Sequence, residues 1–363
     1  RKVMPILKVN NVEDDDIAKI DGVDATNIAK YGGQTLDTAE AATRWLMTST
    51  AGKIFYTATG SVTSGSIVEL IDLGTQTFNG IGVGQDGSGN KRWILHQDNA
   101  ATEIWYANDS GTLDAADQWT SVNITNGKTA TTSGGPTLAW GNNKWVGVGG
   151  KRATGGKYYT AMSSSDGATW EEIQSDVFTT NAHTYTVGYK DTNFWAFPQY
   201  PNVFTSSDGI TWGITTGTTT VQINSMAYDG VSKWVLAGMG GKIFYSNDDF
   251  ATIATGSYPH TSNIFGIVYA KGSINKWSAV GASGKMAYST DGITFSASTL
   301  PAVVGSTRMR AIATDNTTMV AVGNSGMILT SSDGVSWLRV SSSDASGKQL
   351  NAVSSDVIGA GWR

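Results

Sequence analysis

The feature that most constrains this 363-residue chain is a degenerate repeat with a period of about 42 residues. Five segments align on an aspartate: AMSSSDGATW, FTSSDGITW, FYSNDDFATI, AYSTDGITF and LTSSDGVSW. The aligned aspartates, spaced 42, 40, 43 and 42 residues apart, are Asp166, Asp208, Asp248, Asp291 and Asp333. A sixth segment, WYANDSG, places Asp109 in the same position, 57 residues before the next. In a seventh, GKIFYTATG, Thr59 stands where the aspartate is expected.

Each repeat predicts four short strands, which we call a to d. An Ala/Val/Ile-rich run such as SMAYDG is strand a, and a run opening on Trp, such as SKWVLAGMGG, is strand b. Strand c ends at the aspartate turn and strand d begins at Thr-Trp. Four short antiparallel strands at this period are typical of one β-propeller blade. We interpret the recurring tryptophans of strand b as blade-packing residues: Trp45, Trp93, Trp145, Trp195, Trp234 and Trp277.

The two ends of the repeat region complement each other. Residues 44–60 align without a gap on 233–249 as strands b and c, yet no strand a precedes them. Residues 351–363 supply a strand a with nothing after it. We therefore predict that 350–356 pair with 44–50 in a shared blade, which leaves no open sheet edge. The fold class is all-β: a seven-bladed propeller over residues 44–363, preceded by an extended arm over residues 1–43.

The repeated segments resemble the Asp-box (BNR) repeats of sialidases, sortilin-type receptors and related propellers, most closely in SSDGITW and STDGITF. The usual box has one more residue between the aspartate and the Thr-Trp pair, so the turn here is a shortened form. In those families the box is a structural turn remote from the ligand site. The resemblance thus implies that Asp109 and the five aligned aspartates are scaffold residues.

Composition argues against several classes of partner. A net charge of −5 gives no electrostatic footprint for nucleic acid. No apolar run approaches the roughly 18 residues that would span a bilayer, so membrane insertion is not expected. Cysteine is absent and the histidines are scattered, so we predict no metal site and no cofactor.

A catalytic set is not evident, and we expect the protein not to be an enzyme. A sialidase would need three arginines, a Tyr–Glu nucleophile pair and an acid/base Asp, but only Arg308 and Arg310 lie near the start of an inner strand. Other glycoside hydrolases need two facing carboxylates. The candidates Asp229, Asp315 and Asp356 fall in turns between strands a and b, where turn chemistry already explains them.

Variable loops predict a binding face. In a propeller the b–c and d–a loops share one face, which here carries expansions at 126–135 and 149–156. Exposed aromatic and basic side chains on such loops are typical of interaction surfaces. The candidates for this face are Lys151, Arg152, His183, Tyr200, Tyr258 and His260.

The arm has its own repeat, with an 11-residue period, in ILKVNNV (6–12), IAKIDGV (17–23) and IAKYGGQ (28–34). Its aligned residues, the candidates for anchoring, are Ile6, Ile17, Ile28, Lys8, Lys19 and Lys30. Units this small bury little surface, so we expect the arm to become ordered against a partner.

The arm resembles the I-x-K-(I/V)-N-G-V segments of tailed-phage virion proteins, most clearly over Ile17–Val23. This resemblance implies a non-enzymatic virion protein of the tail fibre, tail tip or decoration type, located on the phage tail or capsid surface. Its arm would bind other virion proteins, and its propeller would serve assembly or recognition of a host-surface glycan or receptor. Two alternatives remain open: a carbohydrate-binding or sialidase-like propeller on a cell surface, and a bacterial assembly factor, which would need an Arg-rich face that this sequence does not display.

Overall fold

The computed structural model divides the chain into two units, Arg1–Thr43 and Arg44–Arg363. The structure describes residues 19–20, 23–24, 43–57, 61–97, 103–109, 113, 118–124, 137–154, 157–174, 184–198 and 202–357. Of these, residues 19–20, 23–24, 150–154, 157–160 and 174 are described by their backbone alone. In the first unit, β1 (Lys19–Ile20) pairs antiparallel with β2 (Val23–Asp24). Lys19 therefore lies in a strand, while the other anchoring candidates lie outside the described residues: Ile6, Lys8, Ile17, Ile28 and Lys30.

The described part of the second unit forms seven four-stranded antiparallel sheets, one for each predicted blade. Blade 1 contains β30 (Leu350–Ser355), β3 (Trp45–Ser49), β4 (Lys53–Thr57) and β5 (Ile67–Asp72). Blade 2 contains β6 (Phe78–Gln85), β7 (Lys91–Gln97), β8 (Glu103–Asn108) and β9 (Thr120–Asn123). Blade 3 contains β10 (Leu138–Gly141), β11 (Lys144–Thr154), β12 (Lys157–Ser164) and β13 (Glu171–Gln174).

The remaining blades follow the same a-b-c-d order. Blade 4 contains β14 (Thr184–Lys190), β15 (Asn193–Pro198), β16 (Asn202–Ser206) and β17 (Gly213–Thr218). Blade 5 contains β18 (Ile223–Tyr228), β19 (Trp234–Gly238), β20 (Ile243–Ser246) and β21 (Ala254–Thr255). Blade 6 contains β22 (Ile264–Ala270), β23 (Lys276–Gly281), β24 (Met286–Ser289) and β25 (Ser296–Ala297). Blade 7 contains β26 (Met309–Thr314), β27 (Met319–Gly323), β28 (Ile328–Ser331) and β29 (Leu338–Arg339).

Single 3₁₀ turns complete the described secondary structure, at Thr50–Gly52, Met239–Gly241, Ala282–Gly284, Ala302–Val304 and Asn324–Gly326. Within the described ranges there is no helix of the length and apolarity that crossing a bilayer requires.

The ring closes through its two ends. Strand a of every blade contacts strand a of the next, from β6 through β10, β14, β18, β22 and β26 to β30 and back to β6. In blade 1 the C-terminal β30 supplies strand a and pairs antiparallel with β3, with Trp45 opposite Ser355 and Met47 opposite Val353. The prediction of a seven-bladed propeller closed by a composite blade is confirmed.

Aromatic side chains on strand b fill the spaces between blades. Trp45, Trp93, Trp145, Trp234 and Trp277 are almost wholly buried, at 0–2% exposure. Each occupies the position on strand b that lies opposite the end of strand a. Because a tryptophan hides a large apolar surface, repeating it at one position stabilises the packing of five of the seven blades.

Blade 4 departs from this register. Phe194, opposite Tyr189, corresponds to Trp145, opposite Trp140, so the repeated position holds Phe194 and not the neighbouring Trp195. Trp195 is nevertheless buried and packs edge-on against Phe250, with ring centroids 5.2 Å apart. The sequence alignment was one residue out here because either of two adjacent aromatics could fill the space.

Four b–c turns share a left-handed backbone that ends in glycine. In blade 7, Ser325 (φ 56°) is followed by Gly326 (φ 68°), whose N–H donates to the Lys348 carbonyl at 2.5 Å. A Cβ on Gly326 would lie 2.2 Å from the Ala345 carbonyl oxygen, so the d–a loop can pack here only against glycine. Gly52, Gly241 and Gly284 make the same close approach in other blades.

We predict that Gly326→Ala destabilises the propeller by about 2 kcal/mol more than Gly347→Ala does. Both glycines have φ near +70°, so both substitutions carry the left-handed penalty of about 1 kcal/mol. Only Gly326 adds a backbone collision, because nothing lies within 4 Å of the Cβ position at Gly347. Urea unfolding of the two variants measures the difference, and equal midpoints would contradict the steric account.

Candidate interaction face

The turns between strands c and d use their aspartates locally. Asp208 Oδ1 accepts the backbone N–H groups of Ile210 (2.8 Å) and Thr211 (2.7 Å) and the Ser206 hydroxyl (3.0 Å). Gly209 takes φ 71° and donates its N–H to Ser206 Oγ at 2.9 Å. The same pattern of bonds recurs at Asp166, Asp291 and Asp333. In blade 5, Asp248 binds both the N–H and the hydroxyl of Thr252.

These bonds set the charge state of the turn. Burial raises the pKa of Asp208, but the backbone N–H groups of Thr211 and Ile210 and the Ser206 hydroxyl outweigh it and hold that pKa at about 2. The pKa values of Asp166, Asp291 and Asp333 are lowered for the same reasons. The carboxylates are thus ionised and committed to their own turns.

Asp109 has different partners. Its carboxylate, 3% exposed, pairs with the Arg44 guanidinium and lies 4.0 Å from Lys91 Nζ. Asp356 joins the same cluster, 3.5 Å from both Arg44 Nε and Lys91 Nζ. Asp109 directly follows strand c, as the alignment predicts, and its carboxylate forms ion pairs that connect the composite blade to blade 2.

Basic side chains tie four of these turns to the blade before them. Lys144 Nζ donates to the Asp208 carbonyl (3.0 Å), and Lys233 Nζ donates to the Asp291 carbonyl (2.5 Å). Arg92 reaches the Asp166 carbonyl in the same way, and Lys190 pairs with the Asp249 carboxylate at 2.7 Å. The face formed by the a–b and c–d turns, which we call the turn face, is therefore held together by its own charges.

The opposite face, which we call the loop face, is formed by the b–c and d–a loops. The residues predicted for binding belong to this face. Lys151 and Arg152 lie in β11, described by backbone alone, and His183 and Tyr200 lie outside the described residues. Tyr258 and His260 lie in the loop that joins blade 5 to blade 6, with their rings 5.6 Å apart. The structure thus brings these two together.

Tyr258 is not the exposed aromatic residue that its loop position suggested. Its hydroxyl oxygen is buried, its ring packs 6.0 Å from that of Phe295, and burial raises its pKa. The cause lies one residue earlier, where Ser257 forms a parallel bridge to Thr294 of blade 6. That bridge directs the following side chain into the blade interface. His260 is partly exposed, and burial lowers its pKa.

Charge separates the two faces over residues 202–357, all of which the structure describes. Every acidic residue there except Asp344 lies on the turn face: Asp208, Asp229, Asp248, Asp249, Asp291, Asp315, Asp333 and Asp356. Six basic residues lie on the loop face: Lys242, Lys285, Arg308, Arg310, Arg339 and Lys348. A one-sided distribution of this kind attracts an oppositely charged partner to one face.

The sequence analysis missed Lys242, Lys285 and Lys348 as members of this face. One signal could have revealed the first two: the aligned b–c turns TAGK, GGK and SGK each place a lysine directly after the left-handed glycine.

Two of the carboxylates considered for catalysis lie in turns and accept hydrogen bonds there. Asp229 accepts the backbone N–H groups of 231–233, and Asp315 accepts those of 317–318.

A central channel runs between the inner strands. It contains about 1020 Å³ of space open to solvent, and its wall combines small residues such as Gly82, Ala139, Ala227 and Ala311 with larger apolar ones such as Trp140 and Ile267. Among the described residues, no group of three or more His, Asp or Glu side chains has the proximity that metal binding requires.

A β-bulge shapes the mouth of this channel. In six blades the pairing of strands a and b skips one residue near the start of strand a, and bulges of this kind redirect a side chain. The skipped residues are Asn351, Asn79, Tyr185, Asn224, Phe265 and Arg310 in blades 1, 2, 4, 5, 6 and 7. The amides of Asn224 and Asn351 donate to Ile264 O (2.7 Å) and Phe78 O (3.3 Å) of the next blade.

Blades 6 and 7 differ at this position. The Arg308 guanidinium lies over the ring of Phe265, 3.8 Å from its centroid, and Arg310 Nε donates to Asn324 Oδ1 at 2.7 Å. In blade 7, Arg310 thus occupies the bulge position at which blades 1 and 5 have an asparagine bonded to the next blade, and Arg308 lies two residues before it.

We predict that Asp208→Asn removes a pH-dependent part of the stability. A carboxylate whose pKa falls from about 3.8 in the unfolded chain to about 2 when folded stabilises the native state above pH 4 and loses that effect as the pH falls toward 2. Because solvent screens this half-buried site, we expect the carboxylate to contribute about 1 kcal/mol to the free energy of unfolding at neutral pH. The unfolding midpoints of the unsubstituted chain and of Asp208→Asn should converge as the pH falls from 7 to 2. Asp191→Asn, which makes the same change of charge elsewhere, is the control. Parallel curves would contradict this assignment.

Comparison with known proteins supports the fold. No protein-family model matches the chain, and no curated protein matches it in sequence. Among solved structures, it is similar to the WD40 β-propeller domain of Doa1 (TM-score 0.55, 11% identity, 84% of this chain and 90% of that one). It is also similar to YCF48 from Cyanidioschyzon merolae (0.50, 13%, 73% and 84%) and to a chain of the nidogen/laminin complex (0.50, 10%, 87% and 98%). At such identities these likenesses establish one thing, that this chain has a β-propeller fold.

Proposed function

We propose that this protein is a non-enzymatic structural component of a tailed-phage virion, and that its propeller mediates protein interactions through the loop face. The observation that carries the interaction role is the contrast between the faces. Turn-face carboxylates are bound by their own turns and by the preceding blade. Over residues 202–357 the loop face instead presents basic side chains with one acidic residue among them.

The anchoring role is assigned to the arm. Its second 11-residue copy, IAKIDGV, carries the resemblance to phage virion proteins, and its backbone pairs Lys19–Ile20 with Val23–Asp24. A two-stranded hairpin is marginal by itself in water, so a partner surface is its natural source of stability. We assign that surface to another virion protein and place the propeller at the tail or capsid surface.

Solved propellers of similar architecture occur in protein complexes. The nidogen/laminin complex and the mitotic checkpoint complex each contain a chain similar to this one, the latter with a TM-score of 0.52 and 7% identity. These cases support, by analogy of fold, a role in binding proteins.

We predict that deletion of residues 1–36 abolishes incorporation into particles while the propeller stays folded, because every blade strand lies after Thr43. The measurement is an immunoblot of purified particles, with far-ultraviolet circular dichroism and thermal unfolding of the truncated protein. A variant with Lys8, Lys19 and Lys30 changed to Gln retains the length of the arm and tests the contribution of its charge. Normal incorporation of the deleted form would refute the anchoring role.

We also predict no hydrolysis when the full chain is incubated with sialylated and plant-type glycans. Released sugar is measured by chromatography, and binding is measured on the same panel. Turnover would replace this proposal with a glycoside hydrolase, and saturable binding of a neutral glycan would replace it with a lectin.

A further inference from the structure

Arg308 is a half-buried cation with an incomplete set of contacts. Its guanidinium stacks on Phe265, but its Nε is buried without a hydrogen-bond partner. Within the described residues no Asp or Glu oxygen lies within 4.0 Å of it, and burial alone lowers its pKa. Burying an arginine without a counter-charge costs free energy, and a bound anion would offset that cost.

Arg310 adds a second guanidinium two positions further along the chain. Met309, which separates the two in sequence, is fully buried, whereas Arg308 and Arg310 are both partly exposed. Asn324 holds the Nε of Arg310 at 2.7 Å, which fixes the orientation of its planar group. A fixed guanidinium is suited to the two oxygens of a carboxylate.

The repeat itself indicates that this position has been released from its scaffold role. In blades 1 and 5 the bulge residue is an asparagine that donates to the next blade's backbone. In blades 6 and 7 it is Phe265, on which Arg308 stacks, and Arg310, which donates to Asn324 in its own blade. Local departures from a repeated structural rule are expected where function, not packing, selects the residue.

We propose that Arg308 and Arg310 form a carboxylate-binding site at the channel mouth, between blades 6 and 7, that docks an acidic peptide segment of a protein partner. This inference rests on the proposed role of the loop face in protein interaction. Further cations extend on both sides, with Lys242 and Lys285 in blades 5 and 6 and Lys348 after blade 7. An arc of charge across three blades fits an extended chain with several carboxylates better than one small anion. Arginine on an aromatic ring is also a frequent source of affinity at protein interfaces.

The test is fluorescence anisotropy of a labelled peptide of alternating Glu and Ser, titrated with the purified full chain. We expect saturable binding that weakens as salt increases. Arg308→Gln should weaken it about tenfold or more, because a charge-assisted bidentate contact is lost. Arg308→Lys retains the charge but not the planar guanidinium, so its affinity for the peptide should lie between those of the unsubstituted chain and Arg308→Gln. Lys276→Gln, the same charge change on the turn face, should leave binding unchanged.

Thermal unfolding separates a binding role from a structural one. If Arg308 serves a ligand, Arg308→Gln removes an uncompensated cation and leaves the melting temperature unchanged or higher. A lower melting temperature with unaltered peptide affinity would show that Arg308 is a packing residue and overturn the proposal. Absence of peptide binding by the unsubstituted chain would overturn it as well.

Competition identifies the class of partner. Heparin and a single-stranded oligonucleotide are added as competitors at matched charge concentration. If either binds the protein more tightly than the peptide with the same dependence on Arg308, the peptide assignment is wrong and the site serves another polyanion. These measurements use purified protein, so their outcome is independent of incorporation into particles and distinguishes failure of this site from failure of the virion role.

Discussion

The pairing of β30 with β3 is the interaction on which the rest of the structure depends. Without it, strands β26 and β6 would each lose a neighbour in the inner ring, and the composite blade would have an unpaired edge. Four ion pairs lie at the same place, where Arg44 and Lys91 meet Asp109 and Asp356. Backbone pairing and charge therefore both fasten the ends of the ring together, and the ion pairs lie on the turn face, away from the bulge residues.

The features that could be predicted from the sequence are those that depend on local contacts or on the order of strands along the chain. The aspartate turns were predictable because their bonds join residues within four positions, so the local pattern Ser-x-Asp-Gly carries the whole geometry. Closure was predictable because a missing strand at one end matched a surplus strand at the other. Both depend on order along the chain, which a sequence displays directly.

What could not be predicted depends on contacts between blades. Tyr258 turns inward because Ser257 pairs with Thr294, 37 positions away, a contact that no local pattern announces. Phe194 replaces Trp195 at the repeated position because packing space, and not residue type, decides between adjacent aromatics. The stack of Arg308 on Phe265 requires a bulge in β22 and the approach of the next blade, so it is visible only once the strands are paired.

The bulge position shows how a repeat protein can acquire a site without weakening its scaffold. An asparagine there contributes a hydrogen bond to the next blade, worth about 1 kcal/mol, which is small beside the packing that buries a whole tryptophan in five of the seven blades. Replacing it in two adjacent blades sacrifices little stability, since the inner strands remain in contact around the ring. The two altered positions are neighbours at the channel mouth, so the loss falls where side chains can face a partner. A carboxylate bound there would restore to Arg308 the counter-charge that the fold withholds.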